Sequence, residues 1–500
     1  MNDQEGKMIA VSNAEPYKHE AGNDGETICN EVEGGLTTAM NPQMRETGGI
    51  WIAYGRGERD FDVLNSDGEV SVPDFPEVPE EKRYSLKRLD FPPARYENFY
   101  RGYANRILWP IFHSFPTKAD LEKEGMYWSE GYLPCNKEYA RAVIDAYEPG
   151  DTIWVHDYHL ALVPRLVRNE IPDAKIGVFW HIPWPPWENF GKIPHRGKII
   201  EGLAAADLIG LHLDKYAENL LRCAEESGAK FNWDSMSFTL DAQDVQVKAY
   251  PLGVDYEFFD GTNTDGQEIQ IREKYNSEKI ILGVDRQDYT KGIPERIRAF
   301  KKFVRDNPDY GERVSMIQRT PTSRTEISEY QREKSEINQG VSEFNGMFGN
   351  HDWSPISLFW KGIPQKDLIA EYRAADVGLV TPGLDGMNLV SKEFIAANKD
   401  PKVLILSEFA GSSEQLDEAI QVNPYDADQV ARAIKTAIEM SQEEKEARWS
   451  KLRNKVKTED LSSWAESFLR DLDSRHKLHS MSKYTPFLEG LNLEGVLKEN

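Results

Sequence analysis

Short unbroken apolar runs, each followed by a glycine- or proline-marked turn and a stretch of helical composition, recur along this 500-residue chain. The first series holds MIAVSN (8–13), GGIWIAYGRG (48–57), TIWVHDYHLALVP (152–164), KIGVFW (175–180) and DLIGLHL (207–213). The second holds KIILGV (279–284), VSMIQ (314–318), ISLFWKG (356–362), VGLV (377–380) and KVLIL (402–406). Strands that alternate with helices form an open parallel α/β sheet, and such sheets take ligands beyond the carboxyl ends of their strands. Residues 261–268, GTNTDGQE, have linker composition, so the chain divides into two α/β domains with a cleft between them. The loop AEPYKHEAGNDGETICNEVEGG is long and polar, and residues 60–84 are rich in proline and acid. The first reads as irregular, the second as an excursion or hairpin outside the core.

Residues 377–393, VGLVTPGLDGMNLVSKE, are the most informative stretch. A buried strand leads through Pro382-Gly383 into a helix opening near Met387–Asn388. The amides of that helix end and its dipole favour an anion. Asp385 and Glu393 flank the turn as carboxylates, which accept hydrogen bonds and suit sugar hydroxyls. Taken alone, the same segment is also an ordinary β–α turn. Gly34-Gly35 precedes another helix and lets backbone approach a ligand closely. Arg286 and Lys291 share one loop after a strand, where two cations can clamp a diphosphate and stabilise it as a leaving group. A solvated surface pair has the same spacing. No carboxylate cluster with metal-ligand character stands near them, so the cations are expected to replace a metal. Arg324 is a third cation at a strand end. His156, Asp157 and His181 also lie at strand ends, where Asp157 could orient a hydroxyl or join a satisfied core network. The aromatic stripe Tyr100, Tyr103, Trp109, Phe112 and Phe115 has the spacing of core residues.

Composition narrows the partners. The formal net charge of −24 argues against nucleic acid or an anionic membrane, both of which need a basic surface. An anionic substrate must therefore find a local basic cluster. No run of about 18 apolar residues is present, and the N-terminus lacks a signal-peptide pattern, which points to the cytoplasm. Cys29, Cys135 and Cys223 are widely spaced and odd in number, as reduced thiols are. A homo-oligomer is compatible with all of this.

An ordered set of motifs then carries a resemblance: GGL at 34–36, LWP at 108–110, HDYH at 156–159, HIP at 181–183, DYTKG after Arg286, PTSR at 321–324, DGMNLVSKE at 385–393, SEFAG at 407–411 and NPY at 423–425. From about residue 8 to 470 the chain resembles the trehalose-6-phosphate synthases of glycosyltransferase family 20, and SNAEPYKHE is similar to archaeal-type members. The resemblance implies a GT-B fold of two Rossmann-like domains: residues 1–255 for the acceptor, 256–475 for the nucleotide sugar, and 476–500 as a tail. It implies transfer of glucose from a nucleotide donor to glucose 6-phosphate with retention, without a metal or other cofactor. Asp157, His181, Arg286, Lys291 and Asp385 would be the catalytic set. Gly34, Gly35, Arg286, Lys291, Leu389, Val390, Ser391, Lys392 and Glu393 would bind the donor, with Glu393 on the ribose. Tyr100, Trp109, Asp157 and Arg324 would bind the acceptor.

One departure stands out. The family's SNR, whose arginine grips the acceptor phosphate, is here Ser12-Asn13-Ala14, with Lys18 or His19 as candidate replacements. The alternative acceptor is glycerol 3-phosphate, since EPY and HSFP resemble the glucosylglycerol-phosphate synthases; a non-catalytic sugar-phosphate sensor is the third reading. Gln287 also replaces the apolar residue usual after the loop arginine.

Overall fold

The computed structural model describes residues 6–489 except 23, 33, 34, 77 and 325. It separates into two compact units, one of residues up to Tyr250 together with those from Ala465 onward, the other Pro251–Trp464.

In the first unit the strands are β1 (Met8–Val11), β2 (Tyr17–Ala21), β3 (Thr27–Glu31), β4 (Ile50–Tyr54), β5 (Glu69–Val72), β6 (Tyr84–Leu89), β7 (Thr152–His156), β8 (Lys175–Phe179), β9 (Leu208–Leu211), β10 (Lys230–Asn232), β11 (Ser237–Leu240) and β12 (Gln243–Ala249). Ten of them form one sheet in the order β10-β11-β12-β9-β8-β7-β1-β4-β6-β5. From β12 through β6 every pairing is parallel; antiparallel strands lie only at the two edges. The central strands β1, β7, β8 and β9 are buried almost throughout, as strands covered on both faces must be. Strand order reverses between β1 and β7, so their carboxyl ends form a topological switch point.

Three expectations change here. The polar loop after Asn13 contains an antiparallel hairpin, β2 with β3, pairing Tyr17 with Glu31. Its β2 strand alternates, with Tyr17 and His19 inward and Lys18 and Glu20 outward. The proline- and acid-rich segment forms a hairpin, as expected, since β5 pairs antiparallel with β6, but it is not wholly outside the core, because Asp60 and Val72 are fully buried. The run TIWVHDYHLALVP is a strand only to His156, because Asp157 takes φ +72° and turns the chain.

The second unit holds β13 (Lys279–Val284), β14 (Val314–Arg319), β15 (Ile356–Phe359), β16 (Val377–Val380), β17 (Val403–Ser407) and β18 (Ile420–Val422). All are parallel, in the order β15-β14-β13-β16-β17-β18. This is the doubly wound order of a dinucleotide-binding fold, and its switch point lies between β13 and β16. Apolar clusters cover both faces: Ile281, Phe300, Val377 and Ile434 in one, Leu282, Val380, Phe394 and Trp449 in the other.

Residues 465–475, expected in the second domain, pack instead in the first unit. The Phe468 ring lies nearly parallel on Trp154, with centroids 4.8 Å apart, and edge-on to Phe179 and Tyr250. Two strand glycines make room for it: a Cβ on Gly177 or Gly210 would stand 2.8 Å from that ring. The tail boundary at 476 likewise disappears into one continuous helix, Leu461–Glu489. Replacing Phe468 with alanine is expected to destabilise the first unit by about 3–5 kcal/mol. A fall in the urea midpoint reads this out; an unchanged midpoint would contradict the packing.

Candidate active site

The loops after β13 and β16 are stitched together at the second switch point. Gly383 N donates to Thr290 O at 2.8 Å. Gly292 has φ +63°, and a Cβ there would meet Thr381 O at 2.5 Å, so this approach requires glycine. Beneath the loops, the fully buried Arg296 donates to Asp285 at 2.6 Å, to Thr381 Oγ1 at 3.0 Å and to Gln318 at 3.3 Å.

On this base stand the predicted cations. Lys291 forms an ion pair with Asp385, and Asn388 Nδ2 donates to the same carboxylate oxygen at 3.0 Å. Asn388 has φ +70° and also caps the helix Leu389–Ala397, accepting from Ser391 N at 3.3 Å. Arg286 donates to Asp288 at 3.4 Å, and Arg324 reaches the same Asp288 oxygen at 3.3 Å. Asp288 is fully buried; its other oxygen caps the turn at Thr290. Tyr330 completes this group through its hydroxyl, which bonds Asp288 and Arg324. Gln287, the polar replacement, is buried and donates to the carbonyl of Tyr330, so it helps hold the tyrosine that bonds Arg324 and Asp288.

Along the helix after β16, Leu389 and Val390 are half-buried against the core, and Glu393 accepts a 2.7 Å hydrogen bond from the Tyr372 hydroxyl. Ser391 and Lys392 belong to the same expected set. Their side chains point inward: Ser391 bonds Ser412 Oγ at 2.8 Å, and Lys392 bonds Leu252 O and Gln415, each at 2.6 Å. Burial pushes the Lys392 ammonium down to about 7. Only backbone remains there for a donor. Gly35 is exposed at the start of the helix Gly35–Thr47, while Gly34 lies outside the described residues.

At the first unit's switch point, Asp157 Oδ1 accepts from Tyr158 N at 3.0 Å and His181 N at 3.3 Å. His181 Nε2 lies 3.2 Å from His156 Nδ1, and His212 Nε2 donates to His181 O at 3.0 Å. Burial pushes His156 down to about 3 and His181 well below the usual imidazole range, so both rings are neutral at pH 7. Tyr100 stacks on His159, with ring centroids 5.7 Å apart. It is presented by an i→i+5 wound helix over Glu97–Leu108, a winding frequent at functional sites. Asn105 of that helix links Tyr100 O, at 2.7 Å, to the Tyr158 hydroxyl, at 3.2 Å. Trp109 is buried against Tyr158 and His113.

Thus the second unit gathers Arg286, Lys291, Asp385 and Arg324, and the first gathers Tyr100, Trp109, Asp157 and His181. The sequence reading missed the residues that orient them: Asp288, Arg296, Tyr330, Tyr372, Asn388 and Asn105. Asp288 alone had a signal, as the aspartate of DYTKG. His19 cannot replace the missing arginine, because it is buried and its Nδ1 is 2.9 Å from Arg88. Among the described residues no group of three or more His, Cys, Asp or Glu could hold a metal ion.

The neutral His156 has a consequence for stability. Its pKa is lower folded than unfolded, so the unfolded chain binds more protons below about pH 6.5, and stability falls as pH falls toward 3. At pH 5 the loss from this group is about 2 kcal/mol relative to pH 7. Urea midpoints at the two pH values should therefore differ less in His156→Gln than in the unaltered protein; equal differences would mean the imidazole is not held neutral.

The model of glycosyltransferase family 20 matches residues 6–474. The UDP-forming α,α-trehalose-phosphate synthase of Candida albicans is 33% identical over 94% of this chain and 97% of its own length. An E. coli structure bound with UDP-2-fluoro glucose superposes with a TM-score of 0.82 at 27% identity, covering 93% of this chain and 98% of that one. The Burkholderia xenovorans α,α-trehalose-phosphate synthase in complex with glucose-6-phosphate gives 0.82 at 29% identity, covering 94% and 100%. Similarity that runs through both units and nearly the full length of these relatives is family membership: the chain belongs to glycosyltransferase family 20.

Proposed function

We propose that this protein transfers glucose from UDP-glucose to glucose 6-phosphate, forming α,α-trehalose 6-phosphate with the anomeric configuration retained. The observation that carries this reading is the oriented set of cations at the second unit's switch point, the position at which open α/β sheets in general take their ligands. The relatives named UDP-forming synthases support the donor, and the glucose 6-phosphate complex supports the acceptor.

Each residue then has a role. Arg286 and Lys291 hold the diphosphate, with the Gly35 backbone also against the phosphates. Leu389, Val390 and Glu393 hold the nucleoside, Glu393 on the ribose hydroxyls. Asp385 and His181 contact the transferred glucose; a neutral imidazole can accept or donate there. Tyr100, Trp109, Asp157 and Arg324 bind the acceptor. The acceptor hydroxyl attacks from the face the diphosphate leaves, through an oxocarbenium-like transition state. Its proton passes to the leaving phosphate oxygen, so neither a general base nor a carboxylate nucleophile is required. Arg286 and Lys291 stabilise the negative charge that develops, the work a metal does in other transferases. We place the reaction in the cytoplasm, and the three free cysteines support a reducing compartment.

Initial-rate release of UDP, with glucose 6-phosphate compared against glycerol 3-phosphate, tests the assignment. Turnover with glucose 6-phosphate, undiminished by a chelator, is expected. Turnover with glycerol 3-phosphate alone would overturn it. Arg286→Ala should lower kcat by about 10²-fold or more, by analogy with loss of an oxyanion-hole donor. Near-normal turnover in that variant would remove Arg286 from the mechanism.

A further inference from the structure

We infer that Arg56 supplies the guanidinium that grips the acceptor's phosphate, in place of the arginine missing at position 14. The inference rests on the reading that the acceptor is phosphorylated, and it names the residue that recognises the phosphate in the first unit.

The carboxyl ends of β1, β4, β7 and β8 surround that unit's switch point. After β1 come Ser12, Asn13, Ala14 and Glu15, none of them cationic. After β7 and β8 come the neutral His156 and His181 with Asp157. After β4 comes Gly55-Arg56-Gly57. Arg59, the next cation of that loop, is tied to Asp62 at 3.1 Å. Lys18 lies on the opposite face of β2 from the buried His19.

Arg56 is joined to the β1 loop. Its backbone N–H donates to Glu15 Oε1 and to Asp60 Oδ2, each at 2.8 Å. Its Nε stands 3.8 Å from Glu15 Oε1, and its side chain keeps 29% exposure. Behind it, Glu15 and Asp60 are fully buried and share Arg88, each 3.0 Å from that guanidinium. Gly57 is required for this fit: a Cβ there would lie 2.6 Å from both Asp60 Oδ1 and His19 O. The Arg56 backbone is therefore locked beside position 14 while its guanidinium remains accessible. Tyr54 stacks on Tyr96 at 3.7 Å, Tyr96 stacks on Tyr100 at 5.5 Å, and the Tyr96 hydroxyl meets Asn13 at 3.3 Å, so this loop is continuous with the acceptor residue Tyr100. A guanidinium offers a phosphate paired, parallel hydrogen bonds, which suits a six-carbon sugar phosphate held by its sugar at Tyr100 and Asp157.

The test is steady-state kinetics on Arg56→Ala and Arg56→Lys with UDP-glucose as donor. In Arg56→Ala the KM for glucose 6-phosphate should rise about ten- to a hundredfold, as for loss of one charged hydrogen-bonding contact, with kcat and the donor KM changed less than about twofold. Arg56→Lys should fall between, and Ala14→Arg added to Arg56→Ala should recover most of the loss. An unchanged KM in Arg56→Ala overturns the inference. So does a rise in donor KM equal to the rise for the acceptor, since a loop that merely misfolds would move both. If the unaltered protein does not use glucose 6-phosphate at all, the proposed function itself fails, which is a different result from an active enzyme indifferent to Arg56.

Discussion

The buried ion pair between Arg296 and Asp285 fixes the place where the second unit does its work. Arg296 belongs to the helix after β13, and its guanidinium reaches Asp285 at the end of β13, Thr381 at the end of β16 and Gln318 within β14. One side chain therefore ties three adjacent strands at the point where strand order reverses. Taking the pair out of water is costly, and the cost is met only because several of the guanidinium's N–H groups find acceptors. Gly283 makes the arrangement sterically possible, since a Cβ there would lie 2.4 Å from Gln318 Oε1 and 2.9 Å from the guanidinium. The neighbouring loop inherits this rigidity, and with it the positions of Arg286 and Lys291.

Charge in that loop is arranged against an unfavourable mean field. The protein carries a net −24, yet an anionic donor has to be held. Asp288 solves part of this by accepting from both Arg286 and Arg324, which keeps two like charges close without mutual repulsion dominating. Asp385 does the same for Lys291. Because these carboxylates also bond to Tyr330 and Asn388, the cations are held in place before any ligand arrives. Electrostatic stabilisation is strongest when the dipoles and charges need not reorganise during reaction.

What the sequence revealed, and what it hid, follows from the range of each interaction. Parallel strands buried on both faces are continuous apolar runs, so the two series of strands and the residues at their ends could be read directly. Leu389 and Glu393, four apart on one helix, share a face in the structure as helical spacing requires. Ser391 falls on the opposite side, and Lys392, beside Leu389 at i+3, carries its ammonium inward to Leu252 O and Gln415, a distinction that motif similarity could not make. The hairpin β2–β3 was hidden because β3 is exposed along nearly its whole length and carries no alternation. Tyr330 and Tyr372 were missed because their partners Asp288 and Glu393 are distant in sequence, and Asp60 because its partners His19 and Arg88 are contributed by other strands.

The two switch points show how one fold serves opposite chemical needs. In the second unit the loops after the first and second strands carry cations, set on Asp288 of the first loop and Asp385 of the loop after the fourth strand. In the first unit the ends of β7 and β8 carry Asp157 and uncharged imidazoles. Asp157 sits at φ +72°, a conformation that costs an aspartate about 1–3 kcal/mol. The cost is offset by two amide donors to Oδ1, from Tyr158 and His181, which the turned backbone alone brings into reach. Oδ2 is left toward His159, 3.9 Å away, in a setting of hydrogen-bonding groups rather than strong charge. Sugar hydroxyls need such groups, because directional acceptors discriminate among hydroxyls where a net charge would not. The parallel sheet fixes where ligands meet each unit; the residues at the ends of its strands suit one to an anion such as a diphosphate and the other to sugar hydroxyls.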